Sequence, residues 1–352
     1  MKGRGDRLAA SLAERELDLI LVTELVNIAY LTGFTGTNGA CICGPDTRLF
    51  LTDFRYTERA AAEVEGWETV TVRDDWLGGI AAHLSGRFGF EDEHVSVRLL
   101  ERLRGKLAAG VEPVAAGGAV ERLRRVKDED ELAAIAAASE LADDVWRWSL
   151  ERGLRGRPER EVARAAEARI RELGGDPSFP AIVAAGPNGA LPHAEPGERE
   201  IGSGELVVFD MGAKLDGYCS DGTRTFAVGE PGERAREVYE TVRAAQAAAL
   251  DAVAAGVGGE ALDGVAREPI AAAGHGDRFG HGLGHGVGLE VHEAPRLSPR
   301  SEDVLAAGEV VTIEPGVYLP GELGVRIEDL VVVGDGGCRN LSALPKEIQL
   351  VE

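Results

Sequence analysis

The chain has 352 residues, with 38 basic and 60 acidic side chains and a formal charge of −22 at pH 7. That length suggests two domains with ample material for a core, and a hydrophobic content of 44% excludes a disordered chain. The acidic balance excludes nucleic acid and an anionic membrane surface as partners, because phosphates would be repelled, and it favours cations.

Four cysteines, Cys41, Cys43, Cys219 and Cys338, are too few and too scattered for a disulfide framework or a CxxC zinc site. The first apolar run, Leu19–Val22, follows Glu14, Arg15, Glu16 and Asp18 and is too short and too charged for a signal segment. No stretch approaches the ~20 apolar residues that span a bilayer. The expected location is the cytoplasm.

Leu17–Val22 and Cys41–Cys43 are predicted strands, with Cys41 and Cys43 on one face. Gly44-Pro45-Asp46-Thr47 is a turn, after which Leu49–Thr52 resumes a strand. Thr57–Val64 is predicted helical, Val70–Val72 a strand, and a helix follows near Trp76–Leu84. This α/β unit ends in the small-residue stretch Val114–Gly118, which places one domain at 1–121 and a second at 122–352. Asp128 can cap a strong helix whose first turn holds Glu129, Asp130 and Glu131. A second helix starts near Pro158 and stops at Gly174-Gly175. Leu206–Phe209 and Thr225–Val228 form a predicted hairpin. The order then repeats. A helix spans Glu233 to Ala254, another, interrupted at Pro269, spans Gly259–Ala273, and a hairpin joins Glu309–Leu319 to Gly324–Val333.

Each predicted hairpin carries two acids. A loop at Leu215-Asp216 would set Asp210 directly opposite Asp221, and a loop at Asp216-Gly217 would make them diagonal neighbours. Both registers put them on one face, whereas a three-residue loop without a bulge would separate them. Glu314 and Glu328 are centred on Gly321, so an odd-length loop there sets them opposite one another. Like charges facing across a half-buried strand pair are destabilising. Two such pairs need a compensating charge, which divalent cations supply.

Five of seven histidines lie between His193 and His292, three of them (His281, His285, His292) in FGHGLGHGVGLEVHE. Glycine at every second position rules out a stable helix there, and so a HExxH-type zinc helix. Those glycines instead let the backbone pass close to a metal or substrate. His83, His94 and His275 are given no functional role.

The motifs NIAYLTGFTGTNGA, LTDFRYTERA, LPHAEP, FDMGAKLDGYCSDGTRTF, HGLGHGVGLEVHE, IEPGVY and GVRIED run through nearly the whole chain. Together they resemble the pita-bread metallopeptidases, in the branch of Xaa-Pro dipeptidase (prolidase) and Xaa-Pro aminopeptidase. The resemblance implies an α/β (α+β) fold. A creatinase-like, ribonuclease-H-like α/β domain would precede a pita-bread catalytic domain with a pseudo-two-fold helix–helix–hairpin repeat. It implies that Asp210, Asp221, His285, Glu314 and Glu328 ligate two divalent ions, bridged by Asp221 and Glu328. Mostly oxygen ligands with one imidazole suit Mn²⁺ or Co²⁺, with Fe²⁺ or Zn²⁺ as alternatives. His193, His281 and His292 match substrate-binding or transition-state histidines, and Tyr318 and Arg326 match pocket residues.

The expected reaction is hydrolysis of the bond before proline by a water that the two metals acidify. Glu314 would shuttle the proton to the leaving nitrogen and His292 would stabilise the oxyanion. Chain length favours Xaa-Pro dipeptides, with aminopeptidase P activity on longer peptides as the alternative. The resemblance further implies a homodimer in which the N-terminal domain limits access. Two rivals are creatine-hydrolysing relatives and a non-catalytic binding module. Both depart from the ligand set, which is intact here.

Overall fold

The computed structural model describes residues 3–352. The chain divides into two compact units, Met1–Arg124 and Arg125–Glu352. The boundary expected after residue 121 falls inside a helix, Ala119–Arg125.

The N-terminal unit is built on six strands: β1 (Leu19–Val22), β2 (Ala40–Gly44), β3 (Thr47–Thr52), β4 (Glu68–Thr71), β5 (Arg87–Phe90) and β6 (Glu112–Ala115). They form one sheet in the order β4-β3-β2-β1-β5-β6. Only β2 runs antiparallel to its neighbours. Its helices are α1 (Arg4–Leu12), α2 (Leu25–Thr32), α3 (Thr57–Glu63), α4 (Trp76–Ala81) and α5 (Val97–Arg104), followed by α6 (Ala119–Arg125). Strand alternation explains the two faces of β2. Ala40 and Ile42 pack with Leu21, Leu51, Ile80 and Phe88. Cys41 and Cys43 take the other face, where the Cys43 thiol donates to Gly5 O at 3.3 Å. Both thiols are free and buried, as is Cys219. Burial pushes the Cys43 thiol up to about 11 and raises that of Cys41.

The second unit opens with α7 (Glu129–Glu151), entered through a full capping box: the Asp128 carboxylate accepts from Glu131 N, and the Glu131 carboxylate accepts from Asp128 N. Then come α8 (Glu159–Glu172), α9 (Glu233–Ala252) and α10 (Gly259–Ala272). Helix α10 passes through Pro269 without the expected interruption. Leu262, Ala266 and Ile270 on one face are fully buried against Val238, Val242 and Ala245 of α9. That packing outweighs the one hydrogen bond that proline removes.

The strands fall into two groups. In the first half, β7 (Asp176–Pro177), β10 (Ala213–Leu215) and β11 (Tyr218–Cys219) make a small sheet. Strands β8 (Ile182–Ala185), β9 (Glu205–Asp210) and β12 (Thr223–Val228) make a larger one with the C-terminal β20 (Leu350–Val351). In the second half, β13 (Gly284–Gly286), β14 (Glu293–Leu297), β15 (Val310–Ile313), β18 (Asp329–Gly334) and β19 (Gly337–Asn340) form a five-stranded sheet, and β16 (Gly316–Leu319) pairs with β17 (Leu323–Arg326). Each half has its own core. Val145, Trp146, Val162 and Ile170 of α7 and α8 cover Val207, Phe209 and Phe226, while α9 and α10 cover Val311, Ile313, Val325 and Val331. The helix–helix–hairpin order therefore occurs twice, each acid-bearing ribbon following its helix pair in the chain. Among the described residues, no helix is long and apolar enough to cross a membrane.

Candidate metal centre

The register of the first ribbon is decided at its tip. Leu215 pairs with Tyr218, which leaves Asp216-Gly217 as a two-residue loop. Both residues have positive φ, 49° and 87°, as a type I′ turn requires. The same register continues to Asp210, which stands opposite Thr223. Asp221 is thus the diagonal neighbour of Asp210 and not its facing partner.

The second ribbon turns through Pro320-Gly321-Glu322, because Leu319 pairs with Leu323. One register holds on both sides of the acids, with Ile313 opposite Asp329 and Gly316 opposite Arg326. Glu314 and Glu328 therefore face each other, as the odd-length loop predicts. The two long strands expected here are each broken in two at these acids. The cause lies in the backbone: Glu314 N leaves the ladder to donate to Leu283 O at 2.8 Å, and Glu328 N donates to Thr223 O at 3.0 Å.

The four acids and His285 converge. One ligand-type atom from each of Asp221, His285 and Glu328 lies within 4.8 Å of the others. His285 Nε2 is 3.6 Å from Asp221 Oδ2 and 3.3 Å from Glu314 Oε1. Asp210 enters from the other side, with Oδ2 accepting from Arg326 Nη2 at 2.5 Å. Its Oδ1 is buried without a hydrogen-bond partner. Two threonines complete the frame. Thr223 Oγ1 donates to Glu328 Oε2 at 2.7 Å and accepts from Arg326 Nε at 3.0 Å. Thr312 Oγ1 accepts from His285 N at 3.0 Å and donates to Glu314 Oε1 at 3.2 Å.

Electrostatics mark the cluster as short of positive charge. Burial, then the charge of Glu328, drives the Asp221 carboxyl far above its ordinary range. Burial, then Glu314, does the same to Glu328. Burial raises Asp210 although Arg326 opposes it. Burial would also raise Glu314, but the hydrogen bond and charge of His285 outweigh it and hold this acid low. The donor set, mostly oxygens with one imidazole, and the orphaned Asp210 oxygen fit divalent cations.

A cavity of about 450 Å³ opens onto these acids. His193, His281, His292 and Arg326 line it. His193 and His292 are solvent-exposed, and the His292 ring lies 4.4 Å from that of His285. His281 is held on both sides: Nδ1 lies 2.8 Å from Gly282 O and Nε2 lies 2.8 Å from Tyr318 Oη. Burial lowers its pKa, favouring the neutral ring. Tyr318 is buried and reaches the site through that contact and through Arg326 Nη1, which donates to its hydroxyl at 3.0 Å. Every residue singled out from the sequence is thus in or against one site.

Thr223 and Thr312 carry no motif of their own in the sequence, although each sits two residues from an acid or opposite one. Phe179, Ile182 and Arg296 on the cavity wall are equally unmarked there. Arg296 is opposite His285 in the β13–β14 pair, and its guanidinium has no carboxylate partner among the described residues.

Residues 133–335 match the family described as "Metallopeptidase family M24", and residues 4–126 match "Creatinase/Prolidase N-terminal domain". An Xaa-Pro dipeptidase of Pyrococcus furiosus is 36% identical over 351 residues, covering 99% of this chain and 100% of the relative. Among solved structures, an Xaa-Pro dipeptidase from Bacillus anthracis superposes with a TM-score of 0.95 at 36% identity, covering 99% of both chains. An X-Pro aminopeptidase from Thermotoga maritima superposes with a TM-score of 0.92 at 35% identity, covering 99% of this chain and 100% of that one.

Proposed function

Because the chain belongs to metallopeptidase family M24, we propose that it hydrolyses the peptide bond before proline, with Xaa-Pro dipeptides as the preferred substrates. The observation that carries this reading is the convergence of four acids from two ribbons, with the His285 imidazole from β13, on a buried point where an Asp210 oxygen has no partner. Asp210, Asp221, His285, Glu314 and Glu328 would hold two divalent ions, Mn²⁺ or Co²⁺ first and Fe²⁺ or Zn²⁺ next. When bound, such ions polarise the scissile carbonyl and supply an acidified water as nucleophile.

The side chains divide the remaining work. Glu314 has the most exposed side chain of the four acids, 16% against 12% for Asp210 and 7% for Asp221, so it can take the proton of the nucleophile and pass it to the proline nitrogen. That nitrogen belongs to a tertiary amide and needs a proton to leave. His193 and His292, exposed on the cavity wall, can donate to the substrate carbonyl as negative charge develops on it. The unpaired Arg296 guanidinium offers a fork for the free carboxylate that a dipeptide places beside its scissile bond. Phe179 and Ile182 add apolar wall that excludes water.

The test compares Xaa-Pro with Xaa-Pro-Yaa peptides on chelated protein reconstituted with Mn²⁺ or Co²⁺. Chelation should abolish hydrolysis, either metal should restore it, and the dipeptide should be cleaved faster. Activity indifferent to chelation refutes the reading. Faster cleavage of the tripeptide establishes the second reading, an Xaa-Pro aminopeptidase, which the likeness to the Thermotoga maritima enzyme favours.

A further inference from the structure

Helices α8 and α10 are related by a shift of one hundred residues, Glu159–Glu172 against Gly259–Ala272. Their buried faces match position for position: Val162 with Leu262, Ala166 with Ala266, Ile170 with Ile270. The charged residues beside those faces do not match. They perform one task with opposite polarity. On α8, Glu167 accepts from Ala181 N at 3.1 Å, and the buried Glu159 accepts from Ala185 N at 2.8 Å and from Gly197 N at 3.2 Å. On α10, Arg267 occupies the place of Glu167 and donates to carbonyls instead, to Phe279 O at 2.7 Å and to His281 O. Each half thus ties the loop that carries a cavity histidine, His193 or His281, to its second helix.

The α10 tie reaches further into the site. Asp263, 1% exposed, accepts from Arg267 Nε at 2.5 Å and from Leu283 N at 3.0 Å. Leu283 O in turn accepts from Glu314 N at 2.8 Å. The Arg267 guanidinium also stacks on the Phe279 ring, 4.2 Å from its centroid, and that ring meets the His281 ring edge-on at 5.1 Å. From His281 the hydrogen bonds continue through Tyr318 to Arg326 and Asp210. A glycine-rich segment has no side-chain bulk to fix its own path, so its path must be set from outside.

We propose that the Asp263–Arg267 pair is a positioning element for the reaction, fixing the Phe279–Leu283 backbone so that His281 and Glu314 hold their working geometry. Neither residue lines the cavity, so both act through others. The kinetic part of the test rests on the proposed hydrolysis of Xaa-Pro dipeptides.

The metal-loaded Arg267→Ala protein is compared with wild type on Leu-Pro. A displacement of about 1 Å can cost about 100-fold in rate, so kcat should fall at least about tenfold while KM moves less than about threefold. The melting curve should fall, because the buried Asp263 loses its partner, while the protein stays folded at the assay temperature by circular dichroism, and millimolar free guanidinium should restore part of kcat. Wild-type kcat overturns the proposal, as does a loss that follows the folded fraction and does not respond to guanidinium. If Arg267→Ala does not fold, Arg267→Lys decides. It keeps the charge but cannot span both carbonyls, so its kcat should be reduced, and wild-type kcat in the folded Lys variant overturns the role. A wild-type protein inert on every Xaa-Pro peptide refutes the proposed function instead. The positioning role is then read from ring-¹⁵N spectra, with His281 assigned through His281→Gln. The fixed His281 tautomer must be lost on substitution of Arg267, and its persistence overturns the role.

Discussion

The two acid-bearing ribbons do the same work with different geometry. The first turns on two residues, sets its acids diagonally and uses the short side chains of Asp210 and Asp221. The second turns on three residues, sets its acids face to face and uses the longer Glu314 and Glu328. What joins them is a set of backbone and side-chain hydrogen bonds near the acids that cross from one ribbon to the other. Glu328 N donates to Thr223 O, Thr225 Oγ1 to Arg326 O, and Arg224 Nη1 to Glu328 O. Arg224 also forms a fully buried pair with Asp329 at 2.7 Å. The comparison teaches that bonds between the ribbons, more than the turn within either, fix where the four acids meet.

The largest expected effect tests whether the two ribbons are equal partners. Asp221→Asn and Glu328→Gln should each lose bound metal, counted by mass spectrometry, and lower kcat about 10³-fold. Glu314→Gln should match that rate loss while the protein stays folded by circular dichroism. A much smaller loss from either ribbon would make one of them dominant. Next comes the buried bridge. Arg224→Leu leaves Asp329 with less compensation and should cost about 3 kcal/mol in urea unfolding. Little change there would move the ribbon contact elsewhere.

Thr223 sharpens the comparison further, since it sits in one ribbon and bonds to the acid of the other. Thr223→Val keeps the shape, leaves a Glu328 oxygen short of a donor, and should cost about 1–3 kcal/mol with a measurable drop in metal affinity by calorimetry. The smallest effect belongs to the tips. Gly217 and Gly321 both have positive φ, 87° and 77°. Gly217→Ala and Gly321→Ala should each destabilise by about 1 kcal/mol in thermal melts and leave kcat unchanged. A rate loss from either would show that the turn, and not the crossing bonds, aims the acids.

Much of this site was legible in the chain, because strand periodicity, with a two-residue loop in the first ribbon and an odd-length loop in the second, places Asp210 with Asp221 and Glu314 with Glu328 on shared faces. The capping box at Asp128 was equally local. What periodicity could not supply was the register of the first ribbon, which hinges on whether Asp216 or Leu215 opens the loop. Nor could it show that the second ribbon breaks at its acids, since Leu283 O and Thr223 O are distant in sequence. Asp263, Arg267 and Glu159 look like ordinary helix-surface charges until the fold buries them. Pro269 misled for the converse reason: its local penalty is real but smaller than the packing of α10 on α9.

The sheltered thiols described for β2 make the protein its own unfolding reporter. Cys41 and Cys43 open only with the N-terminal unit, and Cys219 only with the catalytic one. A brief pulse of alkylating reagent during denaturation, read by intact mass, would tell which half has let go first. The same shelter sets an alkaline limit. Between the ordinary thiol value of 9.0 and about 11 for folded Cys43, the unfolded chain sheds its proton first, so stability drains away as pH climbs through that window.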